Sequence, residues 1–121
     1  RMPRALILSP TRELADQICE YFKKLSSYHK LSVSLLIGGT PLNEQDKELN
    51  KGVDILIATP GRLIDHINRG NILFNDLKIL VIDEADRMLD MGFIPDIELI
   101  SKKSLKSDKH YFFQLHYQKR Y

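Results

Sequence analysis

Several absences limit what this 121-residue chain can be. Its single cysteine, Cys19, excludes an internal disulfide and fits a reducing compartment, so a cytoplasmic protein is expected. No apolar run approaches the roughly 20 residues of a bilayer-spanning helix, and no signal peptide opens the chain, so no membrane association is expected. The few histidines lack metal-ligand spacing, and each is expected to be solvated: His29, His66, His110 and His116.

Charge and aromatic residues are unevenly distributed along the chain. Residues 1–100 carry 12 Lys/Arg against 15 Asp/Glu, whereas residues 101–121 carry 6 against 1. The same final segment holds half of the aromatic side chains. A change this abrupt predicts a domain over residues 1–100, followed by a basic aromatic tail of different origin or role over 101–121.

Short apolar runs alternate with longer amphipathic runs over the first hundred residues. The short runs predict four buried strands, at 5–8, 33–37, 53–58 and 77–82. Helices are predicted after a Thr11 cap, at 41–50, from Pro60 to Gly70, through Met91 and from Pro95. Fully apolar strands separated by helices indicate an α/β fold, with a parallel sheet covered by helices on both faces. Three side chains are expected to pack inside it: Cys19, Met88 and Met91.

A polar cluster follows each predicted strand. The clusters are Pro10-Thr11-Arg12-Glu13, Gly38-Gly39-Thr40, Thr59-Pro60-Gly61-Arg62 and Asp83-Glu84-Ala85-Asp86. Parallel sheets bind ligands at the carboxyl ends of their strands. All four clusters are therefore predicted to converge on one edge of the sheet.

The acidic cluster has two interpretations. Asp83 and Glu84 follow a buried strand, where carboxylate oxygens suit a magnesium ion held near nucleotide phosphates. The second carboxylate could orient or deprotonate an attacking water molecule. Alternatively, the acids only open a helix and complement its dipole. Taken alone, the cluster leaves both interpretations open.

The other clusters favour anion binding at helix starts. Thr11 and Arg12 begin one predicted helix, and Thr59 and Arg62 lie at the start of another, where backbone N–H groups, hydroxyls and guanidinium groups attract phosphate. Gly38-Gly39 allows close approach of a ligand to the backbone. Together they predict a track for a nucleic-acid backbone that does not read sequence. For any one cluster the simpler interpretation, a helix cap or a turn, is preferred; the full set in this order favours binding.

The clusters resemble four motifs of the DEAD-box ATP-dependent RNA helicases. These are motif Ia, P-T-R-E-L-A at 10–15; the GG motif at 38–39; motif Ib, T-P-G-R at 59–62; and motif II, D-E-A-D at 83–86. The resemblance covers residues 4 to about 100 and includes the typical continuation at 87–93. It implies a partial RecA-like P-loop NTPase domain from an enzyme that uses ATP and Mg²⁺ to unwind RNA duplexes locally.

The resemblance also implies a role for individual residues. Asp83 and Glu84 would be catalytic and would bind Mg-ATP, with Asp83 reaching the metal through water and Glu84 serving water activation. Asp86 would couple motif II to motif III, S-A-T. The RNA backbone would be bound, independently of sequence, by Pro10, Thr11, Arg12, Gly38, Gly39, Thr59, Pro60, Gly61 and Arg62.

Three parts of the family pattern do not occur in the chain: the Q motif, the glycine-rich phosphate loop with its G-K-[S/T] sequence, and the second RecA-like domain. Without the phosphate loop, ATP binding is doubtful, and ATP hydrolysis by this chain alone is not expected. Two alternatives to an active helicase segment stay open, a non-catalytic RNA-binding remnant and an inactive decayed gene product. Missing sheet strands at both ends would leave uncovered edges, which predicts marginal stability and aggregation.

The tail has the properties of a shifted reading frame. When the third base of each codon from Ser107 onward is joined to the first two bases of the next codon, residues 108–116 permit Arg-Gln-Thr-Leu-Phe-Phe-Ser-Ala-Thr. This string resembles the motif III region of the family. The hypothesis is a single-base slip near residues 101–109. The alternative is an RNA-binding appendage, since aromatic and basic side chains suit single strands.

Overall fold

Five parallel strands form one sheet in the computed structural model, which describes residues 2–92 and 110–114. The elements in chain order are β1 (Ala5–Leu8), α1 (Arg12–Ser26), β2 (Val33–Leu36), α2 (Leu42–Lys51), β3 (Ile55–Ala58), α3 (Pro60–Asn68), β4 (Ile79–Asp83), α4 (Ala85–Asp90) and β5 (His110–Gln114). The strand order is β2-β3-β1-β4-β5. The helix predicted from Pro95 lies outside the described residues. Within these ranges no helix has the length and apolarity that a bilayer span requires.

The strand register sorts the apolar side chains onto two faces. Ile7 of β1 pairs with Ile57 of β3 and Val81 of β4, and all three side chains face α1. Leu6 and Leu8 point to the opposite face, because side chains alternate along a strand, and they pack in a cluster with residues of α2, α3 and α4. Helices therefore cover both faces of a parallel sheet, which confirms the predicted fold class.

The third strand starts later than the apolar run predicted. It begins at Ile55, because the buried Asp54 makes polar contacts at the entrance of the sheet. Its carboxylate accepts a hydrogen bond from the Ser32 amide at 2.9 Å, and its carbonyl accepts from the Arg4 amide at 2.9 Å. These partners are 22 and 50 residues away along the chain. Local periodicity could therefore not locate this boundary.

Two predictions about individual side chains were wrong. Met91 is 47% exposed rather than packed, because α4 ends at Asp90 and Met91 lies in the following turn. His66 is 0% exposed rather than solvated, because it lies on the inward face of α3 next to Ile67. The predicted burial of Cys19 and Met88 is confirmed. Residue type thus failed to indicate burial in two cases. An apolar residue was exposed because its helix ended early, and a polar residue was buried because a polar partner was available in the interior.

Strand β5 lies within residues 101–121, the segment whose composition predicted a separate tail. It pairs in parallel with β4, from Ile79 opposite His110 to Asp83 opposite Gln114. Strand β4 consequently lies between β1 and β5 and is not an edge of the sheet. The end of β5 lies level with the first acid of the D-E-A-D sequence. Part of the tail therefore continues the same sheet as the first hundred residues.

Candidate functional site

The polar clusters that follow β1, β2 and β3 are in direct contact at one edge of the sheet, the edge formed by the carboxyl ends of the strands. The Arg12 guanidinium lies against Gly39, so that a Cβ atom at Gly39 would be 3.0 Å from Arg12 Nη2. On the other side, Arg62 Nη1 donates a hydrogen bond to the Thr40 carbonyl at 3.3 Å. The predicted convergence of these three clusters is confirmed, because parallel strands deliver all three connections to the same edge.

Gly39 occupies a conformation that favours glycine. Its φ of 91° lies in a region that L side chains rarely adopt, and Arg12 fills the space where a Cβ would project. Gly38 is less constrained, since a Cβ there would be 3.9 Å from Arg62 Nη2, an ordinary contact. The result is an exposed Gly39 backbone with a guanidinium group on each side of the glycine pair.

The two helix starts at this edge are capped differently. Thr11 is the N-cap of α1, and its hydroxyl oxygen accepts a hydrogen bond from the Leu14 amide at 3.3 Å. Thr59 is the N-cap of α3 but makes no such side-chain bond, and it is partly exposed. Pro60 is the buried first residue of α3, and nothing lies within 4 Å of a Cβ built at Gly61. The structure thus confirms Thr11 as a cap, whereas the Thr59 hydroxyl can serve another group.

The acids lie at the end of β4. Asp83 is its last residue, is buried, and borders a largely apolar cavity of about 380 Å³ on the α1 face of the sheet. Glu84 has a left-handed backbone with a φ of 52°, a strained conformation for a non-glycine residue that is typical of functional sites. Its Oε2 lies 3.5 Å from Arg87 Nη1. Asp86 Oδ1 is buried and has no hydrogen-bond partner among the described residues.

The carboxylates at the end of β4 fit a magnesium ion that is bound jointly with a nucleotide better than one held by the protein alone. Over residues 2–92 and 110–114, no three His, Cys, Asp or Glu side chains are grouped closely enough to hold a metal ion by themselves. Magnesium is usually held by one or two carboxylates, with water and substrate phosphates completing its shell. Asp83 and Glu84 supply carboxylate oxygens of this kind, so the residues present fit a magnesium ion that arrives with a nucleotide.

The sequence analysis missed a buried polar pair behind the glycines. Gln45 of α2 is 2% exposed; its Nε2 donates to the Ile37 carbonyl at 3.0 Å, and its Oε1 lies 2.7 Å from His66 Nε2. The only local signal was helical spacing, which places Gln45 on the same face of α2 as the buried Leu49. Glutamine on such a face cannot be recognised as functional without knowing its partners.

The pair is held in a neutral state by its surroundings. Burial lowers the pKa of His66, and this effect outweighs the opposing influence of Asp46, whose Oδ1 lies 3.4 Å from His66 Nδ1. The hydrogen bond from Arg69 lowers the pKa of Asp46, with an Nη2 to Oδ2 distance of 2.5 Å. Asp46 therefore stays ionised near neutral pH while His66 stays uncharged.

Protein stability is expected to fall on mild acidification because of His66. In the folded state the pKa of His66 lies below its ordinary value of 6.5, so the unfolded state binds more protons as pH falls below 6.5. Tm measured by circular dichroism should therefore decrease from about pH 7 to about pH 5, and more steeply than in His66→Gln. His29→Gln alters an exposed histidine and should keep the steep dependence. Equal slopes in all three proteins would contradict this prediction.

Comparisons of sequence identify similar proteins. The sequence model of the DEAD/DEAH box helicase family matches residues 1–114, a range that includes β5. The chain is 54% identical over 101 residues to DEAD-box ATP-dependent RNA helicase 52A of Oryza sativa subsp. japonica, covering 84% of this chain and 17% of that protein. It is 52% identical over 101 residues to ATP-dependent RNA helicase RhlB of Actinobacillus succinogenes, covering 84% of this chain and 24% of that protein. The chain therefore spans only a small part of these relatives.

Solved structures with the same fold are similar over nearly the whole chain. The yeast DEAD-box splicing factor Prp28 matches with a TM-score of 0.88 and 35% identity, covering 93% of this chain and 27% of that one. A DEAD box protein from the hyperthermophile Methanococcus jannaschii matches with a TM-score of 0.86 and 40% identity, covering 93% of this chain and 31% of that one. Both matches show that this chain has the RecA-like fold of DEAD-box proteins.

Proposed function

Because this chain belongs to the DEAD/DEAH box helicase family, we propose that it is a segment of the first RecA-like domain of an ATP-dependent RNA helicase. Its share of that activity is to bind the RNA backbone and to supply acids for ATP hydrolysis. The observation that carries the RNA part is the exposed Gly39 backbone between Arg12 and Arg62.

The edge formed by these residues suits a phosphate backbone. Arg12 is exposed and has no carboxylate partner in the described part of the chain, so its charge is available to a ligand. The Arg62 side chain is 16% exposed, and its nearest acid, Asp65, is 3.9 Å from Nε, too far for a strong hydrogen bond. The Thr59 hydroxyl, which makes no capping bond, adds a further donor. Because all of these groups favour phosphate oxygens, the binding would not depend on RNA sequence.

The acids would act on a nucleotide at the neighbouring strand end. When bound, a magnesium ion neutralises charge on the ATP phosphates. Asp83 would orient a water molecule in the shell of that ion. Glu84 would accept a proton from the attacking water at its carboxylate, while Arg87 holds that carboxylate at 3.5 Å. The buried Asp86 Oδ1 would take a hydrogen bond from motif III and so couple this strand end to the RNA side.

The 121-residue chain by itself is expected to bind RNA without responding to ATP. It contains no G-K-[S/T] sequence, so the backbone N–H groups and the lysine that usually hold the phosphates are missing from it. Fluorescence anisotropy of a labelled single-stranded RNA, at low salt, should give the same Kd with ATP and Mg²⁺ as with Mg²⁺ alone. Tighter binding with ATP would refute the expectation that this chain by itself does not respond to the nucleotide. No RNA binding at low salt would refute the RNA part and favour an inactive gene product.

We also propose that residues 101–121 are the motif III region read in a shifted frame. Strand β5 is parallel to β4, and Gln114 lies opposite Asp83. In the shifted frame, codons 113–116 read across their junctions permit Ser-Ala-Thr, which would begin at the end of β5 beside the acids. The nucleotide sequence tests this directly: codons that do not yield Ser-Ala-Thr in the shifted frame would exclude it.

A further inference from the structure

The Gly38-Gly39 loop, residues 37–40, is held at both of its ends by side chains from other elements. At its start, Gln45 Nε2 of α2 donates to the Ile37 carbonyl at 3.0 Å. At its end, Arg62 Nη1 of α3 donates to the Thr40 carbonyl at 3.3 Å. The glycines between these two anchors carry no side chains of their own with which to fix the backbone. The conformation of the loop therefore depends on the two anchoring donors.

The donor at Gln45 is itself oriented by His66. Since Gln45 Nε2 donates to Ile37, its Oε1 must be the atom that faces His66 Nε2 at 2.7 Å. An amide oxygen only accepts, so His66 carries its proton on Nε2 and donates it to Gln45. Rotation of the Gln45 amide would place an N–H group against this N–H group and remove the acceptor. His66 thereby keeps the amide in the orientation that binds Ile37.

The far side of the imidazole is anchored as well. Asn71 Nδ2 lies 3.4 Å from His66 Nδ1, which is the acceptor nitrogen in this tautomer. Asn71 also donates to Asp46, and Asp46 is held by Arg69 at 2.5 Å. A continuous set of polar contacts therefore runs from the exposed Arg69 through the buried imidazole to the Ile37 carbonyl. It joins α2, α3 and the start of the loop.

We propose that Gln45 and His66 are positioning residues for RNA binding, which act by holding the Ile37 carbonyl and hence the Gly38-Gly39 loop between Arg12 and Arg62. The inference rests on the proposed RNA-binding function of that edge. Neither residue is accessible to RNA, since Gln45 and His66 are both buried. Their effect would pass entirely through the loop backbone.

A purely structural role is the competing explanation, and one substitution separates the two. Gln45→Glu retains an acceptor for His66 Nε2, so the contact between α2 and α3 survives. An ionised carboxylate has no proton to donate, so at a pH above the pKa of the introduced carboxyl group the bond to the Ile37 carbonyl is lost. Gln45→Leu removes both bonds. If the pair only joins the helices, Gln45→Glu should leave the loop and RNA binding unchanged.

The experiment combines loop order with RNA affinity in the full chain. ¹⁵N relaxation should show the order parameters of Gly38 and Gly39 falling from about 0.85 to below about 0.6 in both Gln45 variants. RNA affinity by anisotropy should fall about fivefold, which corresponds to one lost hydrogen bond. Ser32→Ala is the matched control, because it removes another side-chain donor to a backbone carbonyl, from Ser32 Oγ to Gly52 at 3.1 Å, at the opposite edge. It should leave both measurements unchanged.

Each possible result tests a different part of the argument: the positioning role, its link to RNA binding, or the proposed function itself. Unchanged order parameters in folded Gln45→Glu overturn the positioning role, whether or not the chain binds RNA. Lower order with unchanged RNA affinity overturns the link to RNA. A wild-type chain that fails to bind RNA removes the proposed function, while the relaxation measurement still decides whether Gln45 orders the loop. Should Gln45→Leu fail to fold, Gln45→Met provides a second apolar variant of similar length.

Discussion

Replacing Arg12 and Arg62 together by alanine should lower RNA affinity on the order of 100-fold, since each hydrogen bond to a charged group contributes about 1.5 kcal/mol or more. The two guanidinium groups flank the exposed Gly39 backbone, and in the proposed function each would contact a phosphate. The salt dependence should change too. Loss of two phosphate contacts on a single strand should reduce the log–log salt slope by about 1.4. Anisotropy titrations at several salt concentrations measure both quantities.

Two matched variants separate site-specific contacts from charge. Lys51→Ala with Lys78→Ala also removes two positive charges, but from exposed positions before β3 and β4, at the opposite edge of the sheet. That pair should cost little affinity. Arg12→Lys with Arg62→Lys keeps the charge but loses the planar fork, so it should bind with intermediate affinity. If Lys51→Ala with Lys78→Ala lowers RNA affinity as much as Arg12→Ala with Arg62→Ala does, general positive charge, and not this edge of the sheet, binds RNA.

Deleting residues 110–121 should cost the chain much of its stability. The deletion removes β5, whose five register pairs with β4 extend the sheet on that side. Net contributions of about 1 kcal/mol per backbone hydrogen bond suggest a loss of roughly 3–5 kcal/mol, a large part of the stability of a small domain. Strand β4 would also become an exposed, largely apolar edge prone to pairing with other chains. Chemical denaturation and light scattering would report the two effects.

Deletion of residues 115–121 alone is the control for that experiment. It shortens the chain but keeps β5 whole. The difference in unfolding free energy between the two deletions therefore isolates the strand. If both deletions have the same stability as the full chain, β5 does not support the sheet, and the composition-based division at residue 100 would be the better description. Aggregation of the full chain as well would match the marginal stability that the sequence predicts.

Much of the fold followed from local patterns. Four of the strands came from apolar runs that end at polar clusters, and the helices came from caps and periodicity, such as Thr11 before α1 and Pro60 at the start of α3. The exceptions have long-range causes. The start of β3 depends on Asp54 contacts with Ser32 and Arg4, which are close only in the folded chain. Strand β5 pairs with β4, which lies well before it in the chain. The basic, aromatic composition of its segment gave no indication of a strand.

The candidate site divides in the same way. The order and spacing of P-T-R-E-L-A, G-G, T-P-G-R and D-E-A-D indicated the family and the edge of the sheet without any coordinates. This was possible because residue type at a strand end is a local property, and parallel topology brings every such end to one edge. The sequence match to the helicase family over residues 1–114 confirms the family.

Only the tertiary structure decided which side chains touch. It placed Arg12 against Gly39, left the Thr59 hydroxyl uncommitted, and turned His66 inward to Gln45. A histidine with no metal-ligand spacing is expected in water, and nothing local shows that an amide oxygen 21 residues earlier will accept a hydrogen bond from it. Packing of α2 against α3 creates that partner. The sequence thus determined the family and the predicted location of the candidate site, whereas packing determined how the Gly38-Gly39 loop is held.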